Sequence, residues 1–247
     1  MARYFIEIFY KGTHYSGFQI QQNANSVQAE VENSLQIFFK TSFSLTGSSR
    51  TDAGVHALTN FFHFDSEMLY SYKTENFNRI IYNLNSILPD DIVIKRIYKV
   101  NDDAHCRFDA ISREYKYFIY QHKDPFQSDR AYYYPYKLDL NKLNEAARAL
   151  FSFQDFTSFS KRNTQVHSFN CNIIKSVWTM EKSLVVYNVI SNRFLRGMVK
   201  GLVGTMLKVG TGKISIDQFF EIIESKDCAT ANFSVPPQGL FLVNVQY

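Results

Sequence analysis

Cysteine is scarce: Cys106, Cys171 and Cys228 are the only three in 247 residues. Three thiols spaced so widely give neither a disulfide framework nor a C-x-x-C metal pair. The six histidines are scattered and H-E-x-x-H is absent, so no metal-ligand pattern appears. There is no G-x-x-x-x-G-K-[ST] loop, no G-x-G-x-x-G after a strand, and no G-x-S-x-G elbow. A cradle for nucleotide phosphates and a serine-hydrolase nucleophile are thereby excluded. No run approaches the ~18 apolar residues of a membrane span. The opening MARYFIEIFYKG also lacks the apolar core of a signal peptide. The expectation is a soluble, cytoplasmic protein that works with ordinary side chains and no cofactor.

One further shortage is local. No acidic residue occurs between Glu181 and Asp217, while Lys182, Arg193, Arg196, Lys200, Lys208 and Lys213 all fall there. In a chain of net charge only +4, this is either a basic face that aids solubility or the footprint of a polyanion. Aromatics are plentiful by contrast, with 23 Phe and 16 Tyr but one Trp.

Strand composition marks residues 4–10, 42–47, 61–65 and 92–100. Asn25 with Gln28 reads as a capping box opening a helix to about Lys40, and 75–87 reads as a second helix ended by Leu88-Pro89. In the second half, 113–120 alternates as a strand. Asp139 caps a helix over 139–151, 172–180 and 184–190 form a hairpin, and helices follow over 194–209 and 215–224 before a last strand. We divide the chain into two α+β halves, 1–105 and 106–247.

The stretch GSSRTDAGVHAL (47–58) sets Arg50, Thr51 and Asp52 side by side, followed by Ala53-Gly54. A nucleophilic carboxylate must be ionised, and a guanidinium two residues away favours that form. An Asp-Ala-Gly turn with an exposed ion pair is the plainer alternative. Over 194–208, Arg196, Lys200 and Lys208 share one helical row beside two apolar rows, a solvated face or a basic row held toward a groove. Tyr115 lies on a strand with Arg113 and Tyr117, as core or as a stacking platform.

In order, YKGTHYSGFQIQQNANSVQAEVENSL, GSSRTDAGVHAL, LPDDIVI, DAHCRFDAISREYKYFIY, DFTSFS, SNRFLRGMVKGLVGTMLKVG and PPQGLFLVNVQY closely resemble the TruA family of tRNA pseudouridine synthases. The resemblance spans nearly the whole chain. It implies two pseudosymmetric halves sharing a central, largely antiparallel sheet, with helices on one side and an RNA-binding cleft on the other. It also implies a homodimer binding tRNA, and isomerisation of uridine at positions 38, 39 and 40 of the anticodon stem-loop. By its motifs, Asp52 falls on the catalytic aspartate, attacking C1′ or uracil C6. Arg50 falls on the arginine that helps extrude the uridine, and Tyr115 on the tyrosine that packs against the base. Lys200, near Arg196, falls on a basic position, often Arg, able to pair with the aspartate. Ser48-Ser49 depart from the common Ala-Gly, and Phe18 stands where Trp is frequent. A non-catalytic tRNA-binding protein or RNA chaperone is one rival reading, which a carboxylate at its centre would not serve; a glycoside hydrolase is another, but it would need two carboxylates at a set separation where one is well placed.

Overall fold

The computed structural model of the chain describes residues 2–71, 74–162 and 166–247. It divides into two compact units, Met1–Ile111 with Leu242–Tyr247, and Ser112–Phe241.

In the first unit, β1 (Ala2–Tyr10) is followed by α1 (Val27–Phe39), β2 (Thr46–Gly47), β3 (His56–Ser66), α2 (Thr74–Ile87) and β4 (Ile92–Lys99). The aromatic and β-branched β1 lies between β3 and β4, antiparallel to both, with Ile6 opposite Phe62 and Ile97. Ile6 and Phe62 are wholly buried. At about 1.5–3 kcal/mol per buried large apolar side chain, this strand carries much of the unit's core. Between the pairs Ile8–Asn60 and Tyr10–Ala57 the register slips, so β3 holds one residue more than β1. Such a bulge re-aims the side chains beside it, here Tyr10 and Asn60.

Two expectations are corrected here. The α1 cap is Ser26, whose hydroxyl accepts from the Ala29 amide at 3.3 Å, not an Asn25–Gln28 box. Gln28 instead donates to Glu32 Oε1 and the Leu45 carbonyl, each at 2.9 Å. The strand expected over 42–47 shrinks to Thr46–Gly47 because α1 occupies the Leu45 backbone: Glu32 accepts its amide at 2.9 Å and Gln28 binds its carbonyl.

His63 sits in this core, its Nδ1 3.2 Å from Cys106 Sγ and its ring 6.3 Å from Phe5. Burial, then the neighbouring His105 and Arg3, lowers its pKa from 6.5 to about 4, against Asp65 and Asp109, which raise it. The unfolded chain therefore takes up a proton below about pH 6.5 that the folded chain refuses until about pH 4. Stability is fully present above that window and lost as pH falls through it. Denaturant titrations should give about 1–2 kcal/mol less stability at pH 5 than at pH 7, a difference that His63→Gln removes.

The second unit holds β5 (Ser112–Tyr120), β6 (Tyr132–Tyr133), α3 (Leu140–Ala149), β7 (Ile173–Glu181), β8 (Leu184–Ser191), α4 (Met198–Gly210), α5 (Ile216–Glu224) and the start of β9 (Leu240–Gln246). β8 pairs antiparallel with β5 and β7, and the β7–β8 hairpin turns through Lys182 and Ser183, with Lys182 at φ +57°. β6 adds a short parallel pairing to β5. Asp139 caps α3 through the Asn141 and Lys142 amides, and Leu143, Ala146, Ala147 and Leu150 face inward as their spacing predicts. A capping box does occur, at Ser215 and Gln218 of α5.

Along the sequence the order strand, helix, two strands, helix, strand thus runs twice, with β6 and α5 added in the second run. The class is α+β and the strands are largely antiparallel. Among the described residues no helix is long and apolar enough to cross a membrane. No cluster of three His, Cys, Asp or Glu among them is arranged to hold a metal ion.

Candidate active site

The loop between β2 and β3 is held almost entirely by its backbone and by one hydroxyl. Ser48 N donates to the Phe61 carbonyl at 2.8 Å, and the Asn60 amide donates to the Ser49 carbonyl at 2.8 Å. The Thr51 hydroxyl lies 2.7 Å from that of Tyr10, to which Asn60 also donates at 3.3 Å. From the segment after β1, Phe18 N donates to the Thr51 carbonyl at 3.1 Å, and the Tyr15 carbonyl accepts Gly54 N at 3.3 Å. Val55 N closes a turn on the Asp52 carbonyl at 3.2 Å, with Gly54 at φ +74° in the third position, where a left-handed residue is required. Gly12 N donates to His56 Nδ1 at 3.1 Å, so His56 holds the loop's exit.

These clamps fix the chain on both sides of Asp52 and leave its side chain alone. Asp52 is half-buried, and among the described residues its carboxylate makes no hydrogen bond or ion pair. Arg50 is exposed and likewise makes none. No Arg50–Asp52 ion pair forms, neither as the contact expected to favour the ionised carboxylate nor as the exposed pair of the plain-turn alternative. A buried carboxylate in a stability role would be hydrogen-bonded; a half-buried one on a rigid loop with its lone pairs vacant is arranged to meet something else. The hydroxyls of Ser48 and Ser49 are buried without a hydrogen-bond partner among the described residues, an arrangement that costs about 1–3 kcal/mol per group.

Tyr115, on β5, is 9% exposed and meets Phe194 edge-to-face with ring centroids 5.0 Å apart. The helix expected from about Phe194 begins at Met198, because Gly197 stands at φ +75° and breaks the right-handed path. Arg196 is therefore not in a helical row with Lys200 and Lys208. It lies exposed in the turn before α4, its carbonyl accepting Lys161 N at 2.9 Å. Lys200 is half-buried in the first turn of α4, a helix whose sides are otherwise buried almost throughout.

Sequence reasoning passed over Tyr10, Gly12 and Asn60. Asn60 carries a visible signal, a polar residue in the apolar run of β3 that proves wholly buried. Tyr10 and Gly12 carry none, since their role exists only once β1 pairs with β3.

Comparison with known proteins bears on the whole chain. A family model described as tRNA pseudouridine synthase matches residues 8–109 and 146–247. The tRNA pseudouridine synthase A of Parabacteroides distasonis is 44% identical over 250 residues, covering 100% of this chain and 96% of that protein. That of Bacteroides fragilis is 44% identical over 248 residues, covering 100% and 97%. That of Staphylococcus aureus is 38% identical over 245 residues, covering 98% and 90%. With matches in both halves and nearly from end to end of each relative, the chain belongs to the tRNA pseudouridine synthase family.

Proposed function

We propose that the protein is a cytoplasmic homodimer that isomerises uridine to pseudouridine at positions 38, 39 and 40 of the tRNA anticodon stem-loop, with Asp52 as nucleophile. The observation that carries this is Asp52 itself: a carboxylate without a partner among the described residues, on a loop clamped at both ends, in a chain of this family.

The reaction breaks the bond from N1 to C1′ and forms one from C5 to C1′. N1 gains a proton and C5 loses one, so the step is redox-neutral and needs no external group. Attack by Asp52 on C1′ expels uracil with the bonding electrons; attack on C6 leads to the same products. The ring then turns, C5 closes on C1′, and the C5 hydrogen passes to solvent.

A base inside a stem must leave its stack first, at a cost of a few kcal/mol. Arg50, exposed on the rigid loop, fills the place left behind. Tyr115 packs against the uracil, a contact worth about 1–3 kcal/mol where a base stacks on a ring. Arg196 and Lys200 supply positive charge to phosphates. Serving three adjacent positions means reading shape and backbone, not base edges. The labour divides along the halves read in the sequence, 1–105 carrying the catalytic loop and 106–247 the tyrosine and the basic residues.

Nucleoside mapping of tRNA transcripts that carry a single uridine at 38, 39 or 40 tests the site assignment. Conversion at all three is expected; conversion only outside the anticodon arm would overturn it.

A further inference from the structure

The segment His105–Asp109 belongs to the signature DAHCRFDA and has no part in the chemistry described above. It nevertheless lines a pocket of about 180 Å³ together with Gly47 and Arg50 of the catalytic loop and with Phe18. The segment is a tight turn. His105 N donates to Asp109 Oδ2 at 2.7 Å, while the amides of Phe108 and Asp109 return to the His105 carbonyl at 3.1 and 3.0 Å. The turn thrusts Arg107 and Phe108 outward, and Phe108 is 74% exposed. A phenylalanine so placed contributes little to a core. The Arg107 guanidinium lies 5.7 Å from its ring centroid, keeping charge and aromatic face together.

His105 adds a directed donor. Its Nδ1 accepts the Arg107 amide at 3.2 Å, so the neutral ring carries its proton on Nε2. That N–H makes no hydrogen bond among the described residues. Two guanidiniums and this donor line the pocket, and no carboxylate does. The volume exceeds the ~150 Å³ of a cavity that admits benzene. An anion bearing one planar ring meets all of these features.

We propose that this pocket holds a single unstacked nucleotide of the tRNA, the neighbour of the target uridine. Its phosphate lies at Arg107, its base rests on Phe108, and His105 donates to the base. The proposal rests on the synthase reading above. Arg50 borders the pocket and stands two residues from Asp52, at most about 7 Å of chain, so a ligand in the pocket adjoins a ligand attacked by Asp52.

The test measures tRNA binding and pseudouridine formation by the full chain and its Phe108→Ala and Arg107→Gln variants. Phe108→Ala is expected to weaken binding about tenfold. An abasic site beside the target uridine should weaken wild-type binding similarly, yet add nothing further in Phe108→Ala. Arg107→Gln should reduce the slope of log K against log salt by about one. Wild-type behaviour in both variants, or an abasic penalty that simply adds to that of Phe108→Ala, would overturn the pocket and leave the synthase reading intact. Wild-type protein that forms no pseudouridine in any tRNA would instead overturn the reading beneath it.

Discussion

Asp52→Asn should lower pseudouridine formation at least a thousandfold, about 4 kcal/mol of transition-state stabilisation, while tRNA binding stays within a few-fold of wild type. The separation follows from the site's construction. The clamps on the loop run through the backbone of Ser48, Ser49, Thr51 and Gly54 and through the Thr51 hydroxyl. None uses the Asp52 side chain, so the amide leaves the loop in place and removes only the carboxylate. Removing a negative charge also lowers repulsion toward a polyanion, so any change in affinity should be toward tighter binding. Single-turnover rates with saturating enzyme, beside equilibrium binding at fixed salt, give both quantities. Parallel losses of binding and rate would mean that Asp52 holds the loop and does not act in the reaction.

Gly12→Ala should lower stability by about 2–3 kcal/mol and reduce the rate about a hundredfold. A Cβ at this position would overlap the Val55 carbonyl, and a backbone oxygen cannot swing away as a side-chain tip can. The segment after β1 and the exit of the catalytic loop must separate, which strains the bond from Gly12 N to His56. Val55 ends the turn that begins at Asp52, so displacement there reaches the carboxylate directly. A misplacement near 1 Å costs a reaction of this kind about a hundredfold. Urea denaturation and steady-state kinetics on one preparation check both numbers. The effect should fall mainly on kcat, because the basic side chains are untouched.

The parts of this chain legible in the sequence are those governed by local chemistry. Asp139 capping α3 and the inward row Leu143, Ala146, Ala147 and Leu150 follow from spacing alone. So does the β7–β8 hairpin with its turn at Lys182. The loop around Asp52 was visible as a motif, but its rigidity was not. That rigidity depends on Tyr10 reaching Thr51 across 41 positions, and on a bulge that appears only once β1 and β3 are in register. The same limit explains Arg196. Helical spacing placed it in a row with Lys200, and the left-handed Gly197 between them removed it. Glycine is compatible with both states, and only the packing of α4 decides which is taken. The strand at 42–47 failed because side chains of α1 took the Leu45 backbone, a competition that strand propensity does not contain.

The central claim is that a carboxylate on a clamped loop detaches and reattaches a uracil. Tritium release from tRNA labelled as 5-³H-uridine tests it most directly, because C5 surrenders its hydrogen only when it becomes the new glycosidic atom. The account predicts one tritium released per target uridine by the wild-type protein. Saturable tRNA binding by the wild type with no release, across several tRNAs, would contradict it and leave a protein that holds tRNA without altering it.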